Sequence, residues 1–499
     1  MKKRIAIYSA ILISATAIAA PLDKQFGKKQ PAKTIEKTDG KQKLTALPLN
    51  DFLSRALANN PTIKKIQARY KEERSLSLKT AAIQDLTLRA GTDLDWYNKV
   101  YSSGSLTAGD KGSWSLYATL SRRFPKLLGM DAALSFTHTS TTSSSGGSHS
   151  PNLSLTLTIP LLRNFLGKVD TNDLKRMHLA LKIVERAEQE AYEAFLLTLH
   201  YAYIDWALAT ETVTIYQGGM NRSAVLLNQT VRKQRLGIAD AADLALARQN
   251  YLSYETRYLS ALSHSNSRYL ELMAQMAGKK RGPAQKTRGR YTPVINWETG
   301  GKKSALPSLN DLRAVQTARL ILEDAKLTLH SAGSSLKPDL NLILKGGTGS
   351  SQSSFGRSFS TLDQNNLYSG LELTLPLQNT ERKKAKDAAL AAYKKYLAEY
   401  QELRIAMSYS LITLDNAIKT STTSLKVQKQ VVAASLLRLS AFYQKYSQGR
   451  VSLDRVTDAR DAYATQQIRY IEMSAALKKL RLQYDSLADR LSSAYPLQK

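Results

Sequence analysis

The chain reads RLGIADAADLALARQNYLSYETRY over residues 235–258 and SQGRVSLDRVTDARDAYATQQIRY over residues 447–470. Both stretches carry a glycine, an Ala-Arg pair, a tyrosine and an Arg-Tyr pair, at one constant offset of about 212 residues. Self-similarity at a fixed offset indicates an internal repeat. Each glycine interrupts a segment rich in helix-forming residues, so each stretch is predicted to be the tip of a helical hairpin, near residue 237 or 449.

A second matching pair of segments extends the repeat upstream. Residues 157–161 read LTIPL and residues 373–377 read LTLPL. We therefore predict two repeats, 45–277 and 305–494, each in the order helix, strands, long helix, glycine turn, helix. A basic linker is predicted over 278–304 and a C-terminal tail over 495–499.

The strands of both repeats, predicted at about 86–159 and 339–375, alternate apolar and polar residues. In 86–96, for example, Leu, Leu, Ala, Thr, Leu and Trp share one face. Such strands suit a β-barrel with lipid outside and water inside, and the alternative is a soluble sandwich with one solvated face. The predicted strands are 86–96, 113–121, 132–137, 153–159, 340–345 and 367–375. The predicted outer loops are 98–111, 138–151 and 348–366, and 122–129 is a short inner turn.

Two very long helices are predicted between these strands and the glycine tips. Neither the stretch from Pro160 to Gly237 nor that from Pro376 to Gly449 contains an internal proline. At ~1.5 Å per residue, each spans over about 100 Å, so these helices must pack side by side. The Gly218-Gly219 pair is expected to bend the first one. The helices that open the repeats are predicted over 49–83 and 308–331.

The amino terminus predicts export. Residues 1–19 have a basic start, an apolar run and a small-x-small end, which together are typical of a signal peptide, and a basic linker follows over 20–44. The formal charge of +30 would suit nucleic acid in a cytosolic protein, but export removes that partner. The chain contains no cysteine, so disulfide and thiolate sites are excluded.

Over roughly residues 45–494 the chain resembles the TolC-type outer-membrane efflux proteins, also called outer membrane factors. The doubled element order and the motif Gly237-x5-Asp243-x3-Ala247-Arg248 carry the resemblance. It implies a mixed α and β fold, in which a trimeric outer-membrane β-barrel continues as a long periplasmic α-helical barrel. It also implies a passive conduit without catalytic activity. The expected partners are outer-membrane lipid, a periplasmic adaptor (membrane fusion protein) and an inner-membrane pump or ABC transporter.

The sequence departs from the family pattern in the first repeat. The family usually has two strands per repeat, whereas residues 99–139 add two further candidates to the first repeat. Either the barrel is larger than usual, with ~18 strands, or the extra hairpin lies elsewhere.

The resemblance also implies a periplasmic gate near the helical tips. Asp243, Tyr446 and Asp458 occupy gate positions of the family. The gate arginine position carries valine in this chain, so Arg450 and Arg455 become the candidates. A carboxylate can accept a hydrogen bond from a tyrosine or an arginine, which would hold the tips closed. The alternative is that all five are ordinary solvated helix residues.

No enzyme, cofactor or metal site is predicted. The six histidines are scattered without metal-ligand spacing, and no phosphate-binding loop or nucleophile motif appears. The competing functions are a structural or adhesive coiled-coil surface protein anchored by the strands, and a diffusion porin. Porins consist mostly of strands, whereas this chain is predicted to be mostly helical. The cargo, small molecules or proteins, remains open.

Overall fold

The computed structural model describes residues 45–97, 111–143, 146–276, 291–297 and 307–495. They belong to one compact unit, Leu44–Lys499. The predicted signal peptide, the linker 20–44, most of the basic linker 278–304 and residues 496–499 lie outside the described residues.

Helices account for most of the described chain. The helices are α1 (Leu49–Asn59), α2 (Pro61–Leu78), α3 (Lys168–Arg235), α4 (Ala241–Met276), α5 (Arg313–Ser334), α6 (Phe355–Ser360), α7 (Thr380–Ser447), α8 (Leu453–Leu487) and α9 (Leu491–Ala494). The strands are β1 (Thr45–Pro48), β2 (Thr87–Tyr97), β3 (Lys111–Phe124), β4 (Met130–Ser143), β5 (Gly146–Pro160), β6 (Tyr291–Val294), β7 (Asp339–Gly349) and β8 (Gln364–Thr374).

Six of the strands form one antiparallel sheet in the order β2-β3-β4-β5-β7-β8. All six predicted strands are present in it. The two strands of the insert lie inside this sheet, between β2 and β5, and not elsewhere on the molecule. The sequence left this question open, because nothing in a hairpin's own alternation says which strands it joins.

The outer loop predicted over 138–151 is wrong. β4 continues to Ser143 and β5 begins at Gly146, and these two residues pair with each other at the end of the ladder. The hydroxyl groups of Thr141 and Ser148 lie 2.8 Å apart across it. The Ser and Thr residues that suggested a loop extend the ladder instead, because threonine favours extended backbone and pairs with serine across strands.

The loop predicted over 348–366 is shorter than expected. β7 ends at Gly349 and β8 begins at Gln364, and the short helix α6 lies between them. The hydroxyl of Ser350 donates to the carbonyl of Ser358, which fastens α6 at the end of the sheet.

Helices α3 and α7 each contain 68 residues, which confirms the two long helices. α3 continues through the Gly218-Gly219 pair that was expected to bend it. A Cβ atom at Gly219 would lie 2.3 Å from the ring of Tyr254, so this glycine makes room for a tyrosine of α4. Within the described ranges, no helix combines the length and hydropathy needed to cross a membrane.

The helix predicted over 49–83 is divided into α1 and α2. Pro61 has no backbone N–H to continue the first helix, and the side chain of Asn60 caps the second by accepting from the Thr62 N–H at 2.9 Å. The opening helix of the second repeat also begins later than predicted, at Arg313.

The main apolar core lies where α3 passes β1 and β6. These two short strands pair in parallel, so the basic linker predicted over 278–304 contains a strand. Tyr203 of α3 joins them: its hydroxyl donates to the Leu47 carbonyl at 2.7 Å and accepts from the Val294 N–H at 3.0 Å. Trp206, which is 2% exposed, packs beside Tyr203.

A buried ionic cluster ties the end of the chain to α3. The carboxylate of Glu193, 1% exposed, accepts from the Leu491 N–H at 3.0 Å and pairs with Arg313. Arg313 also donates to Asp489 at 2.8 Å. α3, α5 and the segment after α8 are thereby held together.

Candidate functional site

The two predicted tips have the same backbone geometry. Gly237 has φ +72° and Gly449 has φ +73°, in the left-handed region that glycine tolerates best. After each glycine, the next N–H returns to the last helical turn: Ile238 donates to Lys233 and Arg450 donates to Lys445, both at 2.9 Å. This is the hydrogen-bond pattern of a helix ended by a C-terminal glycine.

Tyr446 is the predicted gate residue with the most contacts. It is 5% exposed, and its hydroxyl lies 3.2 Å from the Thr230 hydroxyl. Lys233 donates to the Tyr446 carbonyl at 2.7 Å and holds its ammonium 3.8 Å from the ring centroid. Tyr446 therefore joins the end of α7 to the end of α3.

The other predicted gate residues lie at the tips without such contacts. The Asp243 N–H is capped by the Asp240 side chain at 2.7 Å. Asp458, Arg450 and Arg455 are exposed. Among the described residues, no hydrogen bond or ion pair is made by the side chains of Asp243, Asp458, Arg450 and Arg455. Within one chain, Tyr446 thus bonds to Thr230 and not to Asp243.

A buried arginine above the tips was missed by sequence reasoning. Arg460 of α8 is 0% exposed, and its guanidinium donates to the Ser223 hydroxyl of α3 at 2.6 Å and to Asp461 at 3.1 Å. It also lies 4.5 Å from the ring centroid of Tyr254 in α4. One side chain therefore joins three helices. The repeated Ala-Arg pair marked this position but could not show that it is buried.

Tyr254 completes this cluster from α4. Its hydroxyl donates to Asp461 at 2.9 Å. Burial, with the nearby Asp461 carboxylate, raises the pKa of Tyr254 to about 12, because both disfavour the phenolate. The tyrosine is consequently a neutral donor over the whole physiological range.

The six-stranded sheet has two chemically different faces. Directly paired residues share a face, and one face carries most of the large apolar side chains of the sheet. These side chains are exposed in the single chain: Leu88, Leu94, Trp96, Leu116, Leu134, Leu153, Leu155, Leu367, Leu371 and Leu373. The opposite face carries Arg89, Asp93, Asp95, Lys345 and Glu372. An apolar face left open to this extent requires a cover.

Two histidines meet on the apolar face beneath α6. The ring of His138, 1% exposed, stacks on His149 at 5.8 Å and contacts Phe355 and Phe359 of α6. They are a pair only: in the part of the chain that the structure describes, no group of three residues could hold a metal ion.

The fold is that of outer-membrane channels. The outer membrane protein VceC from Vibrio cholerae has a TM-score of 0.66 at 15% identity, over 88% of this chain and 96% of that one. The Campylobacter jejuni CmeC outer membrane channel has a TM-score of 0.65 at 13% identity, over 89% of this chain and 85% of that one. The open state of the Neisseria gonorrhoeae MtrE channel has a TM-score of 0.62 at 15% identity, over 89% of each chain.

Residues 308–484, most of the second predicted repeat, match the family model described as Outer membrane efflux protein. No curated protein matches the chain. The resemblance predicted from the sequence is confirmed, over residues 308–484 by the family model and at the level of the fold by the solved channels. Both comparisons describe transport proteins of the outer membrane and not enzymes.

Proposed function

We propose that three copies of this chain form a gated channel, the outer-membrane subunit of a tripartite efflux or type I secretion system. The observation that carries the proposal is the sheet, which exposes leucines on one face and charges on the other, and whose two edge strands have no further partner among the described residues. Outer-membrane lipid would cover the leucines and water would fill the charged side.

The sheet cannot form a channel by itself. A barrel of eight strands is just wide enough for side chains to fill its interior. The sheet of a single chain has six strands, which are too few to enclose a water-filled lumen. Unpaired edges expose backbone donors and acceptors that lipid cannot satisfy. Copies of the same chain would close the sheet and would bring α3, α4, α7 and α8 together as a helical barrel in the periplasm.

A passive conduit needs energy from elsewhere. The proposal therefore includes a periplasmic adaptor and an inner-membrane pump or ABC transporter, which would deliver small molecules or proteins. The adaptor would meet the helical part, since that part extends away from the sheet by more than about 100 Å of helix.

The gate is proposed at the tips. Tyr446 already joins α7 to α3 within one chain, whereas the side chains of Asp243, Asp458, Arg450 and Arg455 are left for a neighbouring copy. Bonds to a charged group contribute about 1.5–3 kcal/mol, and less where water has access. A trimer repeats each link three times, so weak links suffice to hold a closed state.

Planar-bilayer recording of purified protein tests the proposal. Asp243→Ala combined with Tyr446→Phe is expected to raise the resting conductance and to weaken cation selectivity, because an acidic ring at the mouth favours cations. Glu472→Ala, an exposed carboxylate of α8 remote from the tip, is the matched control and should change neither quantity.

Two results would contradict the proposal at different levels. Unchanged conductance and selectivity in the double variant would show that the gate lies elsewhere. No conductance from any variant, with the protein still in the outer membrane, would favour the alternative of a structural or adhesive coiled-coil surface protein.

A further inference from the structure

We propose that β2 of one protomer pairs with β8 of the next along their full length, closing an eighteen-stranded barrel in which Arg89 faces Glu372 across every seam. This inference rests on the proposed trimeric channel and adds to it the number of strands and the register of the interface. Six strands per chain, taken three times, give the eighteen.

The two edges match in length and direction. β2 and β8 each contain 11 residues. Because all neighbours in the sheet are antiparallel and six is an even number, β8 runs opposite to β2. Thr87 begins β2 just after the helical segment, and Thr374 ends β8 just before α7. Pairing these two ends aligns all 11 residues of both strands.

This register also gives the tilt that a barrel requires. The hydrogen-bonded row that starts at Thr87 crosses the sheet and reaches β8 at Tyr368, through Ser121, Ala133, Thr156 and Lys345. Tyr368 lies six residues before Thr374. A stagger of six residues over six strands, at ~3.4 Å per residue and ~4.8 Å between strands, corresponds to a tilt of about 35°. Membrane barrels have tilts of about 35–45°.

In a level register, Thr87 would pair with Tyr368 and there would be no stagger. The strands would then have no tilt, and only the part of β8 from Gln364 to Tyr368 would find a partner. Most of both edges would remain unpaired in lipid, where each unsatisfied backbone group costs several kcal/mol.

The side chains agree with the full-length register. An offset of an even number keeps each face continuous across the seam. On the apolar face, Leu88 (70% exposed) would oppose Leu373 (61%), and Leu94 (80%) would oppose Leu367 (88%). On the polar face, the positive Arg89 would oppose the negative Glu372. Opposite charges placed directly across from each other stabilise paired strands.

The hairpin of the insert is fastened to the helical part, so β3 and β4 are built into the barrel wall. Gly129 and Gly167 approach so closely that a Cβ on Gly129 would lie 2.7 Å from the Gly167 Cα. Both have positive φ, +69° and +67°. Arg123 also pairs at 2.8 Å with Asp170, which is 4% exposed at the start of α3. A barrel of this strand number leaves a water-filled lumen, as 16–18-stranded porins do.

Cysteine pairs in this cysteine-free chain test the seam. Arg89→Cys with Glu372→Cys is expected to link chains into covalent dimers and trimers under mild oxidation, since directly opposed Cβ atoms lie ~4.5–5.5 Å apart. Asp95→Cys with Glu372→Cys, about 20 Å apart along the seam, should not link. Thr119→Cys with Ser135→Cys, whose hydroxyls lie 3.2 Å apart within one chain, reports that the sheet has formed.

The outcomes separate the inference from the proposed channel. Linkage of Arg89→Cys with Asn366→Cys in place of Glu372→Cys would establish the level register and overturn ours. Native mass spectrometry could instead show a trimer in which neither Arg89→Cys with Glu372→Cys nor Arg89→Cys with Asn366→Cys forms a link. That result would overturn closure by β2 and β8 and would leave the proposed channel uncontradicted. A protein that forms the Thr119–Ser135 link but no trimer would overturn both.

A charge swap gives an independent readout. Arg89→Glu or Glu372→Arg alone places like charges across the seam and should lower the temperature at which the trimer dissociates. The double variant restores opposite charges and should recover most of that loss. Equal loss in the double variant would contradict the Arg89–Glu372 pairing.

Discussion

Helices α3 and α7 have the same length but differ in how many of their residues are buried within the chain. Each contains 68 residues, yet twenty residues of α3 are buried and only five of α7. α3 packs against α2, α4, α5 and α8 and receives the side chains of Tyr254, Arg313 and Arg460. The single chain is therefore organised around α3, and α7 forms part of its outside.

The exposed side of α7 includes eight large hydrophobic side chains among its polar residues. Its exposed large hydrophobic side chains are Leu390, Ile405, Tyr409, Ile412, Val427, Val431, Leu436 and Leu437. Exposed apolar patches mark surfaces that contact another molecule or a membrane, so this side of α7 is a candidate contact surface. Folding of the single chain therefore accounts for the burial of α3, whereas α7 would gain its further contacts from a neighbouring copy in the proposed trimer.

Loss of a large side chain from the core around α3 should destabilise the chain most. Trp206→Ala should lower the free energy of unfolding by about 3–5 kcal/mol, because it empties a fully packed site where α3 meets β1 and α4. Chemical denaturation followed by far-UV circular dichroism measures the loss. Tyr409→Ala, on α7 and 67% exposed, is the counterpart: it should leave chain stability almost unchanged and reduce the trimer fraction. Equal destabilisation by Trp206→Ala and Tyr409→Ala would contradict the difference in burial between α3 and α7.

The next effect concerns the arginine that joins α8 to α3. Arg460→Met should cost about 1.5–3 kcal/mol, because bonds from a charged donor to Ser223 and Asp461 are lost. Arg460→Lys should recover little, since one ammonium cannot reproduce the planar fork of donors. Arg455→Met, an exposed arginine of the same helix, should stay within about 0.5 kcal/mol of the wild type in the same unfolding experiment.

The raised pKa of Tyr254 predicts that the stability of the folded chain changes with pH. Its pKa in the folded chain is about 12, above the ordinary value of 10.0, so the unfolded chain releases this proton first. Stability is therefore complete below pH 10 and falls as pH rises from 10 through 12, by at most about 1.4 kcal/mol per unit. Tyr254→Phe has no proton to release and should fall less steeply. Parallel curves for the two proteins would show that Tyr254 does not contribute.

The smallest effect tests the contact between α7 and α3 at the tip. Tyr446→Phe removes one neutral hydrogen bond, to Thr230, and should cost about 0.5–1.5 kcal/mol. Thr230→Val removes the same bond from the other side. In a double-mutant cycle of unfolding free energies, the two changes together should cost less than their sum. Strict additivity would show that the two hydroxyls do not interact.

Several features could be predicted from residues because they depend on local chemistry. Gly237 and Gly449 ended their helices as expected, because only a residue without a side chain adopts positive φ at low cost. Strand alternation and the long proline-free helices were likewise confirmed. The errors were local too: the Ser and Thr residues of 138–151 suit a strand as well as a loop, and the capping role of Asn60 before Pro61 was overlooked.

The sequence by itself determined the parts: where helices end, which face of each strand is apolar, and that the chain resembles the outer-membrane efflux proteins. The tertiary structure decided how the parts meet. It placed β3 and β4 inside the sheet, buried Arg460 between three helices, and turned Tyr446 toward Thr230. It also gave α3 and α7 different surroundings although both are helices of one length and similar composition. The physical reason is that periodicity and capping are properties of neighbouring residues, whereas burial and partner choice depend on residues up to several hundred positions apart.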